Sequence, residues 1–239
     1  PDLFKSFRMF LDKINDNNVY LYCHTYYPDV GWDIPNLLDK YGLASRVLFT
    51  YKCKNCNKIS CDFFRDSING CYECGALANQ LAGISNSVNT EELSSVYNSF
   101  DMYVQYANSE GFGMPQLEAA YCGLPVISTY YSAMQSVVDN IGAIGIKPLS
   151  YYAECETGCN RAVPNNEKFV QELIKLYEKK SSLRSIGVDV CKKARKHYTW
   201  DKAADVWLSH IKSVPMRDHS ETWLSPPRIF QPADSIPPH

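Results

Sequence analysis

Apolar and polar residues follow two periods along this chain, and the two periods predict different elements. Apolar residues at helical spacing, as at Phe4, Phe7 and Leu11, predict an amphipathic first helix. Comparable patterns predict helices over residues 3–14, 34–41, 90–99, 114–121, 169–177, 183–198 and 200–214. Short apolar runs predict strands over residues 19–23, 46–50, 101–105, 124–128 and 143–146. Helices and strands in this order are typical of an α/β fold with a parallel sheet.

Three stretches depart from this rhythm. Residues 51–75 are polar, rich in cysteine and without a clear period, and residues 148–164 look irregular. The last stretch, 215–239, holds six prolines, a composition that predicts an extended or disordered tail. The predicted organisation is therefore one domain over residues 1–214, interrupted by the insert at 51–75 and followed by the tail. Thr90 is the predicted N-cap of the third helix.

The composition argues against several classes of function and points to no particular one. A chain of 239 residues can bury a sizeable core, and 45% hydrophobic with 21% charged residues is ordinary for a globular protein. A net charge of −2 gives no reason to expect nucleic acid or an anionic membrane as partner. No apolar run approaches the roughly 18 residues that span a bilayer, and no signal peptide is visible. We therefore expect a cytoplasmic protein. The start at Pro1, without an initiator Met, predicts a fragment of a longer chain.

Four of the ten cysteines form two Cys-x-x-Cys pairs, Cys53 with Cys56 and Cys71 with Cys74. This spacing favours a metal site over a disulfide framework. Four thiolates bind Zn²⁺ tetrahedrally in closed, structural sites, and metal binding can supply about 10 kcal/mol of folding free energy. The sequence therefore predicts a structural zinc ribbon within the insert, with Cys61 as a candidate substitute ligand. Reduced thiols or adventitious disulfides are the alternative.

The other cysteines carry weaker signals. Cys155 and Cys159 form a looser pair that could bind a second metal or close a disulfide, although two idle thiols are the simpler interpretation. Cys23, Cys122 and Cys191 lie in apolar patterns and are predicted to be buried thiols. Basic and acidic residues of the insert nearly balance, so the ribbon is not expected to bind nucleic acid.

The strand, loop and helix predicted over residues 101–122 hold the main candidate site. Gly111 and Gly113 flank Phe112 between the end of a strand near Tyr106 and the start of a helix at Met114. Ligands bind beyond the carboxyl ends of parallel strands, and a helix N-terminus there offers free N–H groups and a positive dipole end to a phosphate. Glycines let the backbone approach a ligand closely. Gly-x-Gly alone would suit an ordinary tight turn equally well.

Two glutamates sharpen this interpretation. Glu110 precedes the loop, and Glu118 follows eight residues later on the helix. A phosphate repels a nearby carboxylate unless the carboxylate binds something else, and vicinal sugar hydroxyls are suitable donors to it. A ligand with a hydroxylated ring on either side of a diphosphate would use both carboxylates. A nucleotide sugar has that layout.

Residues 110–118 read Glu-Gly-Phe-Gly-Met-Pro-Gln-Leu-Glu, and a Gly-Leu-Pro-Val-Ile strand ends at residue 127. This stretch resembles the Glu-x7-Glu signature of retaining nucleotide-sugar glycosyltransferases of the GT-B type, which have two Rossmann-like domains. Residues 90–97 and 183–207 resemble the flanking helices of that family. The resemblance covers roughly residues 1–214 apart from the insert. It implies a Rossmann-like parallel sheet flanked by helices, one half of a GT-B fold.

The resemblance also implies roles for individual residues. Glu110 would hold hydroxyls of the donor sugar and is the candidate catalytic residue, and Glu118 would hold the ribose hydroxyls. The implied donor-binding residues are Glu110, Gly111, Phe112, Gly113, Met114, Pro115 and Glu118. The donor would be a UDP-, GDP- or ADP-sugar, and transfer to an unknown acceptor would retain the anomeric configuration without a catalytic metal. The family's N-terminal acceptor-binding domain and a basic pair before the first helix are not visible, so we expect this chain to be inactive alone.

Some features leave alternatives open. Gln135 stands where relatives often have a glutamate, although Ser132 and Ala133 could still give backbone contacts to the donor. His24 follows a predicted strand and is either a donor contact or an ordinary loop histidine. A sugar-nucleotide epimerase or a phosphorylase of the same fold is a competing function. A non-catalytic module that binds through its zinc ribbon is another.

Overall fold

A computed structural model describes residues 1–29 and 31–215. The helices are α1 (Asp2–Ile14), α2 (Ile34–Lys40), α3 (Thr90–Tyr97), α4 (Met114–Tyr121), α5 (Ala133–Ile141), α6 (Asn166–Glu178), α7 (Leu183–His197) and α8 (Trp200–Ser213). The strands are β1 (Leu21–Cys23), β2 (Val47–Cys53), β3 (Ile59–Phe63), β4 (Asn69–Gly70), β5 (Leu77–Leu81), β6 (Tyr103–Gln105), β7 (Val126–Thr129), β8 (Ile144–Ile146), β9 (Ser150–Ala153) and β10 (Asn160–Val163). All seven predicted helices are confirmed, and α5 is an eighth that the sequence analysis overlooked.

The parallel part of the fold consists of two groups of strands. Strands β6, β7 and β8 form one parallel sheet with β7 in the middle, where Ile127 lies opposite both Val104 and Ile144. All four residues of β7 are buried, as expected for a central strand covered on both faces. Strand β1 pairs in parallel with the first half of β2 in a second sheet. The observed fold is a mixed α/β fold whose parallel strands are flanked by helices, consistent with one half of a GT-B fold.

The insert is a continuation of the second sheet and not an irregular loop. Strand β2 runs on to Cys53, β3 pairs antiparallel with one edge of β2, and β5 pairs antiparallel with the other edge beyond β1. Strand β4 then pairs with β5. Residues 51–75, which lack a clear period in the sequence, therefore contain regular strands. These polar strands are stabilised by cross-strand hydrogen bonds, and they carry no apolar alternation that the sequence pattern could reveal.

The core lies between the helices and the strands. Three aromatic residues of α1, Phe4, Phe7 and Phe10, are buried in one cluster with Phe49 of β2 and Phe169 of α6. Because α1 repeats its aromatic residues every three positions, they share one face of the helix and enter the core together. Full burial of such a side chain contributes about 2–3 kcal/mol, so this face fixes α1 against the sheet.

Three smaller expectations need correction. Residues 148–164 are not irregular, because β9 and β10 form an antiparallel hairpin there. The N-cap of α3 is Asn89 and not Thr90, since the Asn89 side chain accepts from the backbone N–H of Glu92. Cys23, Cys122 and Cys191 were predicted to be buried, but each of these residues is only partly buried. Burial of the Cys23 sulfur itself raises the pKa of that thiol to about 12.

The described residues fall into two units, 1–197 and 198–215. The second unit holds α8, which begins after Thr199 caps the backbone N–H of Lys202. Every residue of α8 is exposed. The predicted tail lies outside the described residues from residue 216 onward, and a single domain over 1–214 stays a prediction. Within the described part of the chain, no helix combines the length and apolar character that a membrane span requires.

Candidate functional site

The candidate site lies where loops leave the carboxyl ends of β6 and β7. The loop after β6 carries Glu110, and the loop after β7 carries Ser132. The backbone N–H of Glu110 donates to Ser132 Oγ over 3.0 Å, so the two loops are joined directly. Ser132 has φ 51°, an unusual left-handed value for a residue other than glycine, at the start of α5. The predicted ligand edge of the sheet is therefore a connected structure.

Two helices begin at this edge. Helix α4 starts after Gly113, helix α5 starts after Ser132, and neither start is capped by a side-chain hydrogen bond. Pro115 occupies the first turn of α4, where a missing N–H costs nothing. Backbone N–H groups and the positive dipole end at such starts suit an anionic ligand. The sequence analysis placed only the start of α4 here.

Residue 113 must be glycine for two reasons, its backbone conformation and the closeness of the Gln116 side chain. Its φ is +80°, and a Cβ at this position would lie 2.7 Å from Gln116 Nε2. The Gln116 side chain is fully buried, donates to Phe112 O over 3.2 Å and accepts from Ser128 Oγ over 3.0 Å. This amide therefore ties the glycine-containing loop to strand β7. Sequence reasoning did not single out Gln116.

Glu110 is held from the side of the sheet. The buried side chain of Gln105 donates from Nε2 to Glu110 Oε1 over 2.9 Å, and Tyr103 OH donates to Gln105 Oε1 over 2.7 Å. Burial raises the pKa of Tyr103, and the negative charges of Glu118 and Glu110 raise it further. Tyr103 therefore remains a neutral donor. The two hydrogen bonds from Tyr103 to Gln105 and from Gln105 to Glu110 fix one carboxylate oxygen of Glu110.

Glu118 is held by helix α3. The hydroxyl of Tyr97, a buried residue, donates to Glu118 Oε2 over 2.9 Å. Burial and this hydrogen bond raise the pKa of Tyr97, so it also stays a donor. Each glutamate is partly exposed, and its carboxylate accepts a hydrogen bond from one side chain, Gln105 or Tyr97, which leaves acceptor capacity for a ligand.

His24 is held by strand β2. It follows β1, and its Nδ1 forms a hydrogen bond of 2.8 Å with Thr50 Oγ1, which also bonds Tyr22 OH over 2.9 Å. Desolvation lowers the pKa of His24, and the charge of Glu118 opposes that effect. A role of His24 as a donor contact stays a prediction.

Two exposed apolar side chains flank Gly113 in this loop. Phe112 is 40% exposed and Met114 is 54% exposed, on either side of Gly113. Gly111 is exposed as well, and no heavy atom lies within 4 Å of the position that its Cβ would take. The structure therefore groups the predicted donor-binding residues in one loop and helix start, while their role as donor contacts stays a prediction.

The four paired cysteines come together in the ribbon. Cys53 Sγ lies 3.8 Å from Cys74 Sγ, Cys56 Sγ lies 3.7 Å from Cys71 Sγ, and all four sulfurs lie within 4.8 Å of one another. A tetrahedron of sulfurs at about 2.3 Å from a central Zn²⁺ has edges of about 3.8 Å. The four sulfurs could therefore hold a metal ion.

The two cysteine pairs sit on matching turns. Asn57 N–H donates to Cys53 O, Gly75 N–H donates to Cys71 O, both over 2.9 Å, and both donor residues have positive φ. Asn55 approaches two sulfurs, with its backbone N–H 3.3 Å from Cys53 Sγ and its Nδ2 3.5 Å from Cys74 Sγ. These groups pre-arrange the ligands, as outer hydrogen bonds do at metal sites.

The thiols of this cluster differ in acidity. Hydrogen bonds from Asn55 and the Ala76 backbone lower the pKa of Cys74 to about 6. The pKa of Cys56 is raised to about 12, because burial and the neighbouring thiols outweigh the backbone hydrogen bond from Lys58. Cys61, the suggested substitute ligand, is exposed on β3 and lies outside the cluster found among the described residues.

The looser cysteine pair does not join this centre. Cys155 and Cys159 are exposed free thiols near the turn of the β9–β10 hairpin, outside the described cluster. The hairpin itself contacts the candidate site, since Ala162 N–H donates to Asn108 O over 3.0 Å. Asn108 belongs to the same loop as Glu110.

Known proteins resemble this chain in sequence over one segment and in fold over most of its length. The family model for glycosyl transferases group 1 matches residues 82–187, a little under half of the chain. The structure is similar to sucrose-phosphate synthase from Thermosynechococcus elongatus, with a TM-score of 0.52 and 13% identity over 88% of this chain and 43% of that one. It is also similar to TarM, with a TM-score of 0.57 and 14% identity over 88% of this chain and 32% of that one. No curated protein sequence matches the chain significantly.

The chain therefore spans less than half the length of either solved structure. The family match contains both glutamates, the glycine-containing loop and the starts of α4 and α5, and it begins just after β5. The ribbon lies outside it. Residues 82–187 are thus similar to glycosyl transferases group 1, and the fold is consistent with one half of a GT-B fold.

Proposed function

We propose that this chain binds a nucleotide-diphosphate sugar and supplies the donor half of a retaining glycosyltransferase. The observation that carries the proposal is the placement of two carboxylates around an uncapped helix start. Glu110 precedes the start of α4, Glu118 lies in its second turn, and each is oriented by a neutral buried donor. Carboxylates in such positions suit hydroxylated rings, and the helix start suits the diphosphate between them.

In this proposal each part of the donor has its own partner. Glu110 holds sugar hydroxyls beside the reacting carbon, and Glu118 holds the ribose hydroxyls. Backbone N–H groups around Gly111, Phe112, Gly113 and Met114 face the phosphates, with Pro115 shaping the first turn of the helix. Oriented dipoles at this edge then stabilise the charge of the departing nucleoside diphosphate, without a catalytic divalent metal.

The acceptor and its binding domain belong to the rest of the proposed enzyme. A donor half needs a second domain that brings an acceptor to the sugar, and each of the two solved structures is more than twice as long as the part that this chain covers. We assign the missing basic groups for the diphosphate to that part as well. The paired cysteines, which form no disulfide and fit a metal site, support the proposal of a cytoplasmic location.

The cysteine cluster is proposed to hold one structural Zn²⁺. Sulfur separations of 3.7 and 3.8 Å match the edges of a tetrahedral thiolate site. With all four positions taken by protein, no coordination site remains for a substrate. The metal would instead supply folding free energy to polar strands that bury little apolar surface.

Calorimetry with UDP-, GDP- and ADP-glucose tests the donor assignment. Glu118→Ala should weaken binding of the preferred nucleotide sugar by about 10- to 100-fold, since hydrogen bonds to a charged group contribute about 1.5–3 kcal/mol. Glu91→Ala is the matched control, because Glu91 is an exposed glutamate in the first turn of α3. Thermal unfolding of both variants checks that each remains folded.

The outcomes separate the alternatives. Unchanged binding by Glu118→Ala would remove the ribose assignment. Binding of no nucleotide sugar by the wild-type chain would contradict the donor function and favour a module that acts through its ribbon. Binding followed by epimerisation or phosphorolysis in the complete enzyme, in place of transfer, would replace the reaction class.

A further inference from the structure

The ribbon is an extension of strand β2 and its sheet. Strand β2 ends at Cys53, and β5, which begins three residues after Cys74, returns beside it with Cys53 opposite Asn79. A metal held by Cys53 and Cys74 therefore ties the end of β2 to the start of β5. The chain that leaves β5 leads directly to α3.

Lys52, which precedes Cys53 in β2, fixes the segment between β5 and α3 through its side-chain contacts. Its Nζ donates to Ser87 O over 3.0 Å and forms an ion pair of 2.8 Å with Glu92. The two side chains are only 12% and 19% exposed, so water screens this pair less than a surface pair. Asn86 Nδ2 donates to Lys52 O over 2.8 Å, which adds a third tie to the same segment.

Glu92 connects Lys52 to the first turn of helix α3. The carboxylate that pairs with Lys52 also accepts from the backbone N–H of Asn89 over 2.8 Å, and Asn89 caps Glu92 in return. This reciprocal arrangement is a capping box that fixes the first turn of α3. The last residue of the same helix is Tyr97, whose hydroxyl holds Glu118.

We propose that the metal-binding ribbon positions Glu118 for the donor through Lys52, Glu92 and Tyr97. Lys52 is a positioning residue in this scheme, because it contacts neither the donor nor the carboxylate that binds it. The proposal rests on the donor function proposed above and extends it to regulation of the same site by the metal. Since coupling between two ligands is reciprocal, a bound nucleotide must also tighten metal binding by the same factor.

The test uses the full chain loaded with Zn²⁺ and three nucleotides as probes, UDP, GDP and ADP. Lys52→Met should weaken binding of the preferred nucleotide by roughly fivefold or more, at the lower end of ordinary coupling between sites. Lys52→Arg should restore the affinity, because a guanidinium can make the same contacts to Glu92 and Ser87. Lys54→Met is the matched control, since Lys54 is an exposed lysine on the other side of Cys53.

Two further readouts separate positioning from general stability. Zinc content should stay at one per chain in every Lys52 variant, because the four ligands are intact. Dissociation constants are measured well below each unfolding temperature, so that a loss of stability alone leaves the affinity of the folded protein unchanged. A chelator competition with and without nucleotide measures the reciprocal effect on the metal.

Each outcome decides one claim. If the wild type binds none of the three nucleotides, the donor function fails. If the wild type binds and Lys52→Met binds equally well, the donor function stands and the coupling is refuted. Equal weakening by Lys52→Met and Lys54→Met would show a general charge effect and would also refute it. A nucleotide that leaves the chelator competition unchanged would overturn the link to the metal.

Discussion

The two glycines of the site loop should respond very differently to the same substitution. Gly113 has φ +80°, and an added Cβ would lie 2.7 Å from the amide nitrogen of the buried Gln116. Alanine in a left-handed conformation costs about 1–2 kcal/mol, and a displaced buried amide costs about 1–3 kcal/mol more. We therefore expect Gly113→Ala to lower the free energy of unfolding by about 2–5 kcal/mol.

Gly111→Ala is the internal control. Gly111 is outside the positive-φ range, and nothing lies within 4 Å of its Cβ position, so the change should stay within about 1 kcal/mol of the wild type. Urea unfolding measures both variants, with the midpoint shifting at constant slope if stability alone has changed. Equal midpoints for the two variants would refute the argument that Gln116 and the backbone together require glycine at residue 113.

Two further predictions concern the metal and the histidine. Cys74→Ser should abolish stoichiometric zinc and destabilise the ribbon, whereas Cys61→Ser, at an exposed position outside the cluster, should retain one zinc per chain by metal analysis. His24 has a folded-state pKa below the ordinary 6.5, so the unfolded chain binds more protons between the two values and the free energy of unfolding falls as the pH drops through 6.5. His24→Gln should remove that component of the pH dependence, and an NMR titration of His24 at or above 6.5 would contradict it.

The helices were predictable because each carries its own apolar face. The prediction for α4, residues 114–121, has the observed bounds, and the first helix differs by one residue. Helix α5 was overlooked although Met134, Val137, Val138 and Ile141 are buried at helical spacing. The helical spacing of these apolar residues is therefore a signal that the sequence contains.

The ribbon strands and the β9–β10 hairpin were not predictable in the same way. Every residue of β9 is exposed, and none of β3 is fully buried, so neither strand shows the alternation of a half-buried strand. Their order comes from cross-strand hydrogen bonds, as between β2 and β3 and between β9 and β10. A period in the local sequence cannot report such partners.

The residues of the candidate site also differ in how far the sequence could predict them. Both glutamates and both glycines lie within nine residues, so a local motif could indicate them. The side chain that holds Glu118 comes from elsewhere, since Tyr97 precedes Glu118 by 21 positions, and Lys52, which pairs with Glu92 in the helix of Tyr97, precedes Glu92 by 40. Tyrosine and lysine are common residues, and only the fold shows that Tyr97 contacts Glu118 and Lys52 contacts Glu92. Pairing with a particular partner is a tertiary property, whereas the motif itself is local.

Strand β2 explains how one short segment can serve the metal and the candidate site together. Side chains alternate along a strand, so Thr50 and Lys52 face one side while Tyr51 and Cys53 face the other. Thr50 bonds His24 and Lys52 bonds Glu92, whereas Tyr51 and Cys53 are fully buried. A shift of one residue in register would exchange the two sets. A metal bound through Cys53 would oppose that shift, and the same alternation would then hold Lys52 on the side where α3 begins.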